Sequence, residues 1–257
     1  MITLNIELFV KNKVRKIFQK YRSLIHEHEE ILVLGDSHAN VFKNKHIEEQ
    51  FKNHFFNVIA VGGATISGLE NPNSKTQALA TFRKEIKKSK ARTIIVLLGE
   101  VDTGFVIWHK SEKYKTNVSD MLDMAVQNYK DFLQQLSSTH RVICISTPLP
   151  TIKDEQDWGE IANARKDVKA TQWQRTKITV QFNNIMEDFC NKTDIVYLSF
   201  DKESLNEKGL VHDSLLNPNP NDHHYDKDKY AEMIVHKIKN TIIPDAPCST
   251  AEAYREI

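Results

Sequence analysis

The sequence predicts an α/β protein, a three-layer α/β/α sandwich of flavodoxin type around a five-stranded parallel sheet. Three observations predict it: five short apolar runs recur along the chain, helical patterns separate them, and each run is continuously rich in Val, Ile and Leu. Continuous apolar runs indicate strands that are buried on both faces, as in parallel sheets covered by helices. The five predicted strands span residues 31–34, 58–61, 93–98, 141–146 and 194–199.

Apolar residues at helical spacing fill the intervals between these runs. The first clear case follows Ser74 and Gln77, whose spacing is that of a capping box at the start of a helix. The stripes indicate core packing rather than cofactor sites. They consist of Leu79, Phe82 and Ile86; Leu122, Val126, Tyr129, Leu133 and Leu136 after Ser119; Ile178, Phe182, Ile185 and Phe189; and Tyr230, Ile234 and Ile238.

Length and charge are typical of one enzyme domain. The chain has 257 residues, 35 basic and 34 acidic, so its charge does not suggest a nucleic-acid partner. Its first residues lack the pattern of a secretory signal, and no apolar run is long enough to cross a bilayer. Cys144, Cys190 and Cys248 have neither metal-ligand spacing nor an even number for disulfides. We therefore expect a reducing cytoplasm as the location.

Three segments are expected. Residues 1–24 form an amphipathic helix whose basic side chains could touch a membrane surface, although packing on the domain with lysines in water is the favoured interpretation. Residues 25–242 form the main domain. Residues 243–257 form a tail. The oligomeric state is not specified by any of these patterns.

Ser37 is the first candidate functional residue. It follows the apolar run 31–34 and so lies at the carboxyl edge of the predicted sheet, where open α/β folds assemble their sites. A serine hydroxyl needs a base to become a nucleophile. The best candidates, His223 and His224, stand in a segment rich in turn formers that leads into the last predicted helix.

On these residues the chain resembles the SGNH, or GDSL-type, hydrolases. Gly35-Asp36-Ser37 is similar to the nucleophile block of that family, with His38 where leucine is usual. Gly62-Gly63-Ala64-Thr65 follows the second apolar run and is similar to the second block. The resemblance implies that the backbone N–H of Gly63 contributes to an oxyanion hole together with that of Ser37.

The third and last blocks are less regular. The third block falls on Gly99-Glu100-Val101-Asp102, where Val101 replaces the asparagine that donates to the oxyanion in the family. In the last block His224 matches the histidine, but Asn221 occupies the position of the orienting aspartate. Asp222, Asn221 or a backbone carbonyl could therefore orient the imidazole. The likeness runs from about residue 31 to residue 238.

Each candidate also has a structural interpretation. Asp36 and Ser37 could simply cap a helix, and Gly62 and Gly63 could serve a tight turn. His223 and His224 could be solvated loop histidines. Glu100 and Asp102 could either cap the next segment or contact substrate. His38 and His223 are further possible substrate contacts. Three apolar strands ending next to Ser37, Gly63 and Glu100 nevertheless favour one common site.

The same residues are also compatible with two rival functions. Asp36-Ser37-His38 also looks like the first metal-binding motif of metallophosphoesterases, with Glu100, Asp102, His223 and His224 as further ligands. The Gly-Asn-His motif of that family is absent from the sequence. A catalytically weakened member that only binds an ester or glycan is a third possibility, motivated by Val101 and Asn221.

The favoured hypothesis is a serine esterase that forms an acyl-enzyme on a small or carbohydrate-borne ester, such as an O-acetyl group. Ser37 attacks, His224 is the base, and Asp222 or Asn221 orients it; no metal or other cofactor is expected. An O-acyltransferase acting on a glycan could use the same site. Trp108, His109 and Trp158 make a sugar-bearing acceptor plausible.

Overall fold

A computed structural model describes residues 28–154 and 168–242. The predicted helix at 1–24, the tail at 243–257 and Trp158 lie outside the described residues. Within those two ranges, no helix combines the length and the apolarity that crossing a bilayer would require.

Five parallel strands form one sheet in the order β2-β1-β3-β4-β5. This order is that of the flavodoxin type, so the predicted fold class is confirmed. The strands lie where the apolar runs place them, with β1 and β2 starting a few residues earlier. They are β1 (Glu29–Gly35), β2 (His54–Ala60), β3 (Thr93–Leu97), β4 (Arg141–Ile145) and β5 (Val196–Leu198).

Helices connect the strands and cover both faces of the sheet. Two 3₁₀ segments, Ser37–Lys43 and Asp213–Leu215, and a π-helical segment, Asp102–Val106, accompany them. The α-helices are α1 (Lys45–Gln50), α2 (Ile66–Leu69), α3 (Ala78–Lys88), α4 (Ile107–Tyr114), α5 (Val118–Ser137), α6 (Gln172–Cys190), α7 (Asp201–Ser204) and α8 (Lys227–Ile242).

The alternation of side chains along each strand divides the core into two layers. Leu32 and Leu34 of β1 face a cluster that includes residues from α2 to α6. Ile31 and Val33 of the same strand face the opposite cluster, which is built from the first 3₁₀ segment, α1 and α8. The sheet is therefore buried on both faces, as the continuous apolar runs predict.

One local prediction is wrong. Ser74 and Gln77 do not form a capping box: Gln77 is itself the N-cap of α3, in a left-handed conformation, and its side-chain amide donates to the carbonyl oxygen of Ser74. A capping box does form at Thr171 and Gln174, before α6. The long connection after β5 contains α7 and the second 3₁₀ segment.

The three strands that lead to the candidate residues end at the same level. Gly35 is in register with Ala60 of β2 on one side and Leu97 of β3 on the other. The chain passes from β1 outward to β2 and then returns to the other side of β1 as β3, so the strand order reverses at β1. Ligand sites of open α/β sheets form at such a switch point. Ser37 lies two residues past it.

Gly35 is the position in this turn that leaves no room for a side chain. A Cβ atom there would lie 2.3 Å from the carbonyl oxygen of Leu97 and 2.7 Å from the Cβ of Ala39, whereas Gly62 has nothing within 4 Å. We predict that Gly35→Ala lowers the free energy of unfolding by roughly 3 kcal/mol, because backbone must move to relieve the overlap. Gly62→Ala is the matched control and should change stability by less than about 0.5 kcal/mol. Denaturant unfolding measures both, and equal effects would contradict the prediction.

Candidate active site

Ser37 begins the 3₁₀ segment that follows β1. Asp36 is its N-cap, with an extended backbone and a carboxylate that accepts the backbone N–H of His38 at 2.8 Å. The capping interpretation of Asp36 is therefore correct, and it coexists with a half-buried Ser37 hydroxyl at the sheet edge. The cap matters because it sets the direction in which the chain leaves the strand, and with it the position of Ser37.

The loop before α8 brings His224 to Ser37. Nε2 of His224 lies 2.8 Å from Oγ of Ser37, and Nδ1 lies 2.5 Å from Oδ1 of Asp222. The same Asp222 oxygen accepts the backbone N–H of His224 at 3.0 Å. A hydroxyl, an imidazole and a carboxylate thus form one hydrogen-bonded chain, the arrangement that activates a serine hydroxyl.

Tertiary hydrogen bonds hold the histidine loop against the end of β4. The hydroxyl of Tyr225 accepts the backbone N–H of Leu149 at 2.8 Å, and the hydroxyl of Thr151 donates to the carbonyl oxygen of His223. Tyr225 also forms a β-bridge with Leu216. The position of His224 is therefore fixed from both sides, by its own loop and by the chain that leaves β4.

The protonation states suit proton transfer from serine to histidine. Burial lowers the pKa of His224, and the neighbouring His38 lowers it further, against the opposing effects of the Asp222 and Glu100 charges. Burial by itself would raise the pKa of Asp222, but the hydrogen bonds from the backbone and ring of His224 outweigh it and the pKa is lowered. At neutral pH the imidazole is thus a free base beside a charged carboxylate.

A second aspartate and histidine pair lies next to this chain. Nδ1 of His38 is 3.0 Å from Oδ1 of Asp36, and both side chains are buried. The ring centroid of His38 lies 4.5 Å from that of His224, and that of His223 lies 4.3 Å from it on another side. His38 and His223 therefore flank the base. Contact of either with substrate stays a prediction.

Asn221 does not orient the imidazole. Its side chain is exposed and its backbone N–H binds the side chain of Asn219, whereas the hydrogen bonds of the His224 ring go to Asp222 and Ser37 among the described residues. The carboxylate has moved one position along the chain relative to the family pattern. An Asx turn, in which Asp222 binds the N–H two residues later, makes this spacing work.

The carboxylate of Asp102 is engaged with backbone N–H groups, and its contact with substrate stays a prediction. Asp102 is wholly buried, and its carboxylate accepts the backbone N–H groups of Ile66 at 2.7 Å and Ser67 at 3.0 Å, at the start of α2. It therefore ties the segment after β3 to the segment that follows Gly63. Glu100 is also buried, close enough to His224 for its charge to raise the pKa of that base. A substrate contact by Glu100 remains a prediction.

Two backbone N–H groups near the sheet edge are open to an acceptor. Within residues 28–154 and 168–242, no hydrogen-bond acceptor takes the N–H of Ser37 or that of Gly63. Gly63 has φ of 70°, in the left-handed region that favours glycine, and lies on an exposed turn. The third predicted donor position carries Val101, whose side chain cannot donate.

Metal coordination is the competing use of these side chains. Asp222, His223 and His224 each place one potential ligand atom within 4.8 Å of the others. Both ring nitrogens of His224 are engaged, however, with Asp222 and Ser37. Asp102, one of the ligands in the phosphoesterase interpretation, is bound to backbone N–H groups of α2. The phosphoesterase interpretation therefore loses Asp102 as a ligand, and two of its other proposed ligands, Asp36 and His38, are bonded to each other.

Sequence reasoning missed two features of this site. The pairing of Asp36 with His38 had a signal, because an Asx turn joins residues two apart and His38 departs from the usual leucine. The π-helical segment that begins at Asp102 left no signal in the spacing of apolar residues. Such segments occur often at functional sites, and this one begins at the residue that holds α2.

No family model and no curated protein matches the sequence. Solved structures do match. A GDSL-like lipase from Bacteroides thetaiotaomicron has a TM-score of 0.55 at 12% identity, over 88% of this chain and 97% of the other. A carbohydrate acetylesterase from Sinorhizobium meliloti has a TM-score of 0.54 at 8% identity, over 81% and 99%. The fold is that of the SGNH/GDSL hydrolases. A variant of an acetyl xylan esterase from Geobacillus stearothermophilus also matches, with a TM-score of 0.51 at 13% identity over 83% and 93%.

The SGNH/GDSL fold places the sequence blocks of the resemblance on three neighbouring strands of this chain. Blocks one, two and three follow β1, β2 and β3, and the last block precedes α8. Identities this low show the fold alone. The roles of individual residues therefore rest on the geometry described above.

The titration of His224 is the first prediction from this geometry. Because burial and His38 disfavour the imidazolium, we expect a pKa below 6.5. The Asp222 carboxylate opposes that shift, so Asp222→Ala should lower the pKa further. Histidine ring signals followed by NMR over pH 4 to 8 measure both values. Asn221→Ala is the matched control and should leave the titration unchanged. A midpoint that rises in Asp222→Ala would contradict the prediction.

A second prediction concerns the buried carboxyl of Asp102. Burial raises its pKa from 3.8 to about 6, against the hydrogen bonds of Ser67 and Ile66 and the charge of Lys110. Between these two values the folded protein binds more protons at this group than the unfolded chain, so stability falls as pH rises. From pH 3.5 to pH 7 the free energy of unfolding should therefore fall by roughly 3 kcal/mol relative to Asp102→Asn.

Denaturant unfolding across that pH range tests the Asp102 prediction. The matched control is Asp123→Asn, on the exposed side of α5, whose stability curve should run parallel to that of the unsubstituted protein. Parallel curves for Asp102→Asn as well would show that the buried carboxyl titrates alike in the folded and unfolded states.

Proposed function

We propose that this protein is a serine esterase that removes a small acyl group, such as acetyl, from a carbohydrate. The observation that carries the proposal is the hydrogen-bonded chain from Ser37 through His224 to Asp222. The structural neighbours from Sinorhizobium meliloti and Geobacillus stearothermophilus, described as a carbohydrate acetylesterase and an acetyl xylan esterase, support the substrate class. The catalytic unit we propose spans residues 25–242.

The reaction follows from the geometry. Oγ of Ser37 attacks the ester carbonyl while Nε2 of His224 takes its proton, and Asp222 stabilises the imidazolium that forms. The open N–H groups of Ser37 and Gly63 receive the oxyanion. The ester C–O bond then breaks, and the imidazolium gives its proton to the departing sugar oxygen, which leaves as a hydroxyl. Water, activated by the same histidine, attacks the acyl-serine and regenerates the free hydroxyl, so no cofactor enters the steps.

Two features of the site bear on the rate, one in the oxyanion hole and one beside the base. With Val101 in place of a side-chain donor, two backbone N–H groups remain in this proposal. One donor is worth roughly 10² to 10³ in turnover in other acyl-transfer enzymes. The positive charge of His38 would disfavour the imidazolium of His224 if His38 were protonated, and its pairing with Asp36 compensates part of that charge. We therefore expect an active esterase with a low turnover rate.

Labelling and turnover together test the proposal. A fluorophosphonate probe should modify the wild-type protein and not Ser37→Ala, and His224→Ala should lose both labelling and turnover of p-nitrophenyl acetate. Asp222→Asn should lower turnover by up to about 10⁴-fold, because the histidine loses the carboxylate that orients it and stabilises its charged form. Asn221→Ala, the neighbouring control, should stay within about threefold of wild type.

Three outcomes would overturn parts of the proposal. Labelling that persists in Ser37→Ala would show that another residue is the nucleophile. A larger loss in His223→Ala than in His224→Ala would show that the base is wrongly chosen. Binding of an acetylated sugar with neither labelling nor turnover would indicate the weakened, binding-only member.

Hydrolysis and acyl transfer share the acyl-serine and differ in the hydroxyl that resolves it. Adding a sugar acceptor to the p-nitrophenyl acetate reaction separates the two activities. An esterase releases acetate at the rate of p-nitrophenol, whereas a transferase forms an acetylated sugar at the expense of acetate. We expect release of acetate.

A further inference from the structure

Two short segments of this site share one sequence pattern and one pattern of internal hydrogen bonds. They are Asp36-Ser37-His38 and Asp222-His223-His224. In each, a carboxylate oxygen of the aspartate bonds both the backbone N–H and the ring Nδ1 of the histidine two positions later. The mechanism above uses only the second aspartate and histidine pair. The first pair encloses the nucleophile itself, because Ser37 is the residue between its two members.

The two pairs meet through their imidazole rings. The ring centroid of His38 lies 4.5 Å from that of His224, with an angle of 52° between the ring planes. Like charges at this separation repel each other much more strongly in a partly buried site than in water. The two rings therefore do not take up protons independently, and a proton on one ring disfavours a proton on the other.

Burial distinguishes the two pairs. The side chains of Asp36 and His38 are 1% and 2% exposed, whereas that of Asp222 is 39% exposed. Oδ2 of Asp36 is buried and has no hydrogen-bond partner among the described residues. With His38 neutral, the buried pair carries a net negative charge that solvent does not reach, and a proton on His38 makes the pair neutral. Burial of Asp36 therefore favours His38 as the ring that takes up the first proton.

The ionisable groups around His224 act on its pKa in opposite directions. After burial, the charge of His38 is the cause that lowers this pKa, whereas the carboxylates of Asp222 and Glu100 raise it. The ring of His223 also packs on that of His224, with centroids 4.3 Å apart. These groups come from three parts of the chain: His38 from the turn after β1, Asp222 and His223 from the loop of the base, and Glu100 from the segment after β3.

Resting on the proposed esterase function, we propose that His38 is a positioning residue for the catalytic base. Held by Asp36, its imidazole forms a fixed wall against the ring of His224 and takes up a proton before that ring does as the pH falls. The positive charge then acts on the base, because His38 rather than Asp36 contacts its ring. His224 therefore stays neutral, and able to accept the proton of Ser37, to a lower pH than it would beside an uncharged residue.

The rise of kcat/KM with pH tests this role, because its midpoint reports the protonation of the base in the free enzyme. His38→Asn keeps a side-chain N–H for Asp36 but takes up no proton, and His38→Leu fills the space with an apolar side chain. In both variants the midpoint should lie about one pH unit higher than in the wild-type protein. Relative to its plateau, activity well below the midpoint then falls about tenfold. Release of acetate from p-nitrophenyl acetate measures it.

The matched control is His140→Asn. It removes an imidazole between α5 and β4, at the opposite edge of the sheet, and should leave the midpoint unchanged. A merely structural role for His38 would lower the plateau in both variants and leave the midpoint in place, and this outcome would overturn the inference. A midpoint that moves to lower pH in the two variants would overturn it as well.

NMR titration of the His224 ring separates the two proposals, because it does not require turnover. If esters are hydrolysed and neither the kcat/KM midpoint nor the His224 titration moves in the two variants, the esterase function stands and the role of His38 is wrong. If the His224 titration moves to higher pH but no ester is hydrolysed and Ser37 is not labelled, the competition for the proton stands. The esterase function is then wrong, and the role of His38 in catalysis falls with it.

Discussion

The hydrogen bond between Ser37 and His224 is the contact on which the rest of the site depends. It joins side chains that are 187 positions apart in the sequence. Ser37 follows β1, and His224 lies in the loop before α8. By itself the hydrogen bond is one modest interaction. It persists because each partner is held independently: Ser37 by the capped turn after β1, and His224 by Asp222 and by the bonds from Leu149 and Thr151 to its neighbours.

The parallel sheet converts separate sequence motifs into one surface. Gly35, Ala60 and Leu97 are in register at the ends of three adjacent strands, so whatever follows them emerges at one edge. Close packing enforces this level ending, since Gly35 touches the backbone of β3 where any side chain would overlap it. Asp102 adds a second tie, from the segment after β3 to the helix that follows Gly63.

Burial sets the chemistry that this surface can support. It keeps the imidazole of His224 neutral at physiological pH, which a general base requires, while hydrogen bonds from the histidine keep Asp222 charged. His38 and His223 lie against the His224 ring, and with them present the imidazole is still neutral and the Asp222 carboxylate still charged. The open side of the site is a cleft of about 500 Å³ whose lining includes Ser37, Asp222 and His224.

Periodicity and local motifs alone determined the five strands, the main helices, the fold class and the candidacy of Ser37 and His224. They did so because burial on both faces of a sheet imposes continuous apolar runs, and because turn-forming residues mark where such runs end. Tertiary structure decided between Asp222 and Asn221, bound Asp102 to the backbone at the start of α2 and paired Asp36 with His38. Those outcomes depend on distances between side chains on different elements, and residue types one position apart can exchange roles when a turn shifts by a single hydrogen bond. Sequence spacing constrains such turns, but only the packed chain selects which oxygen reaches the ring.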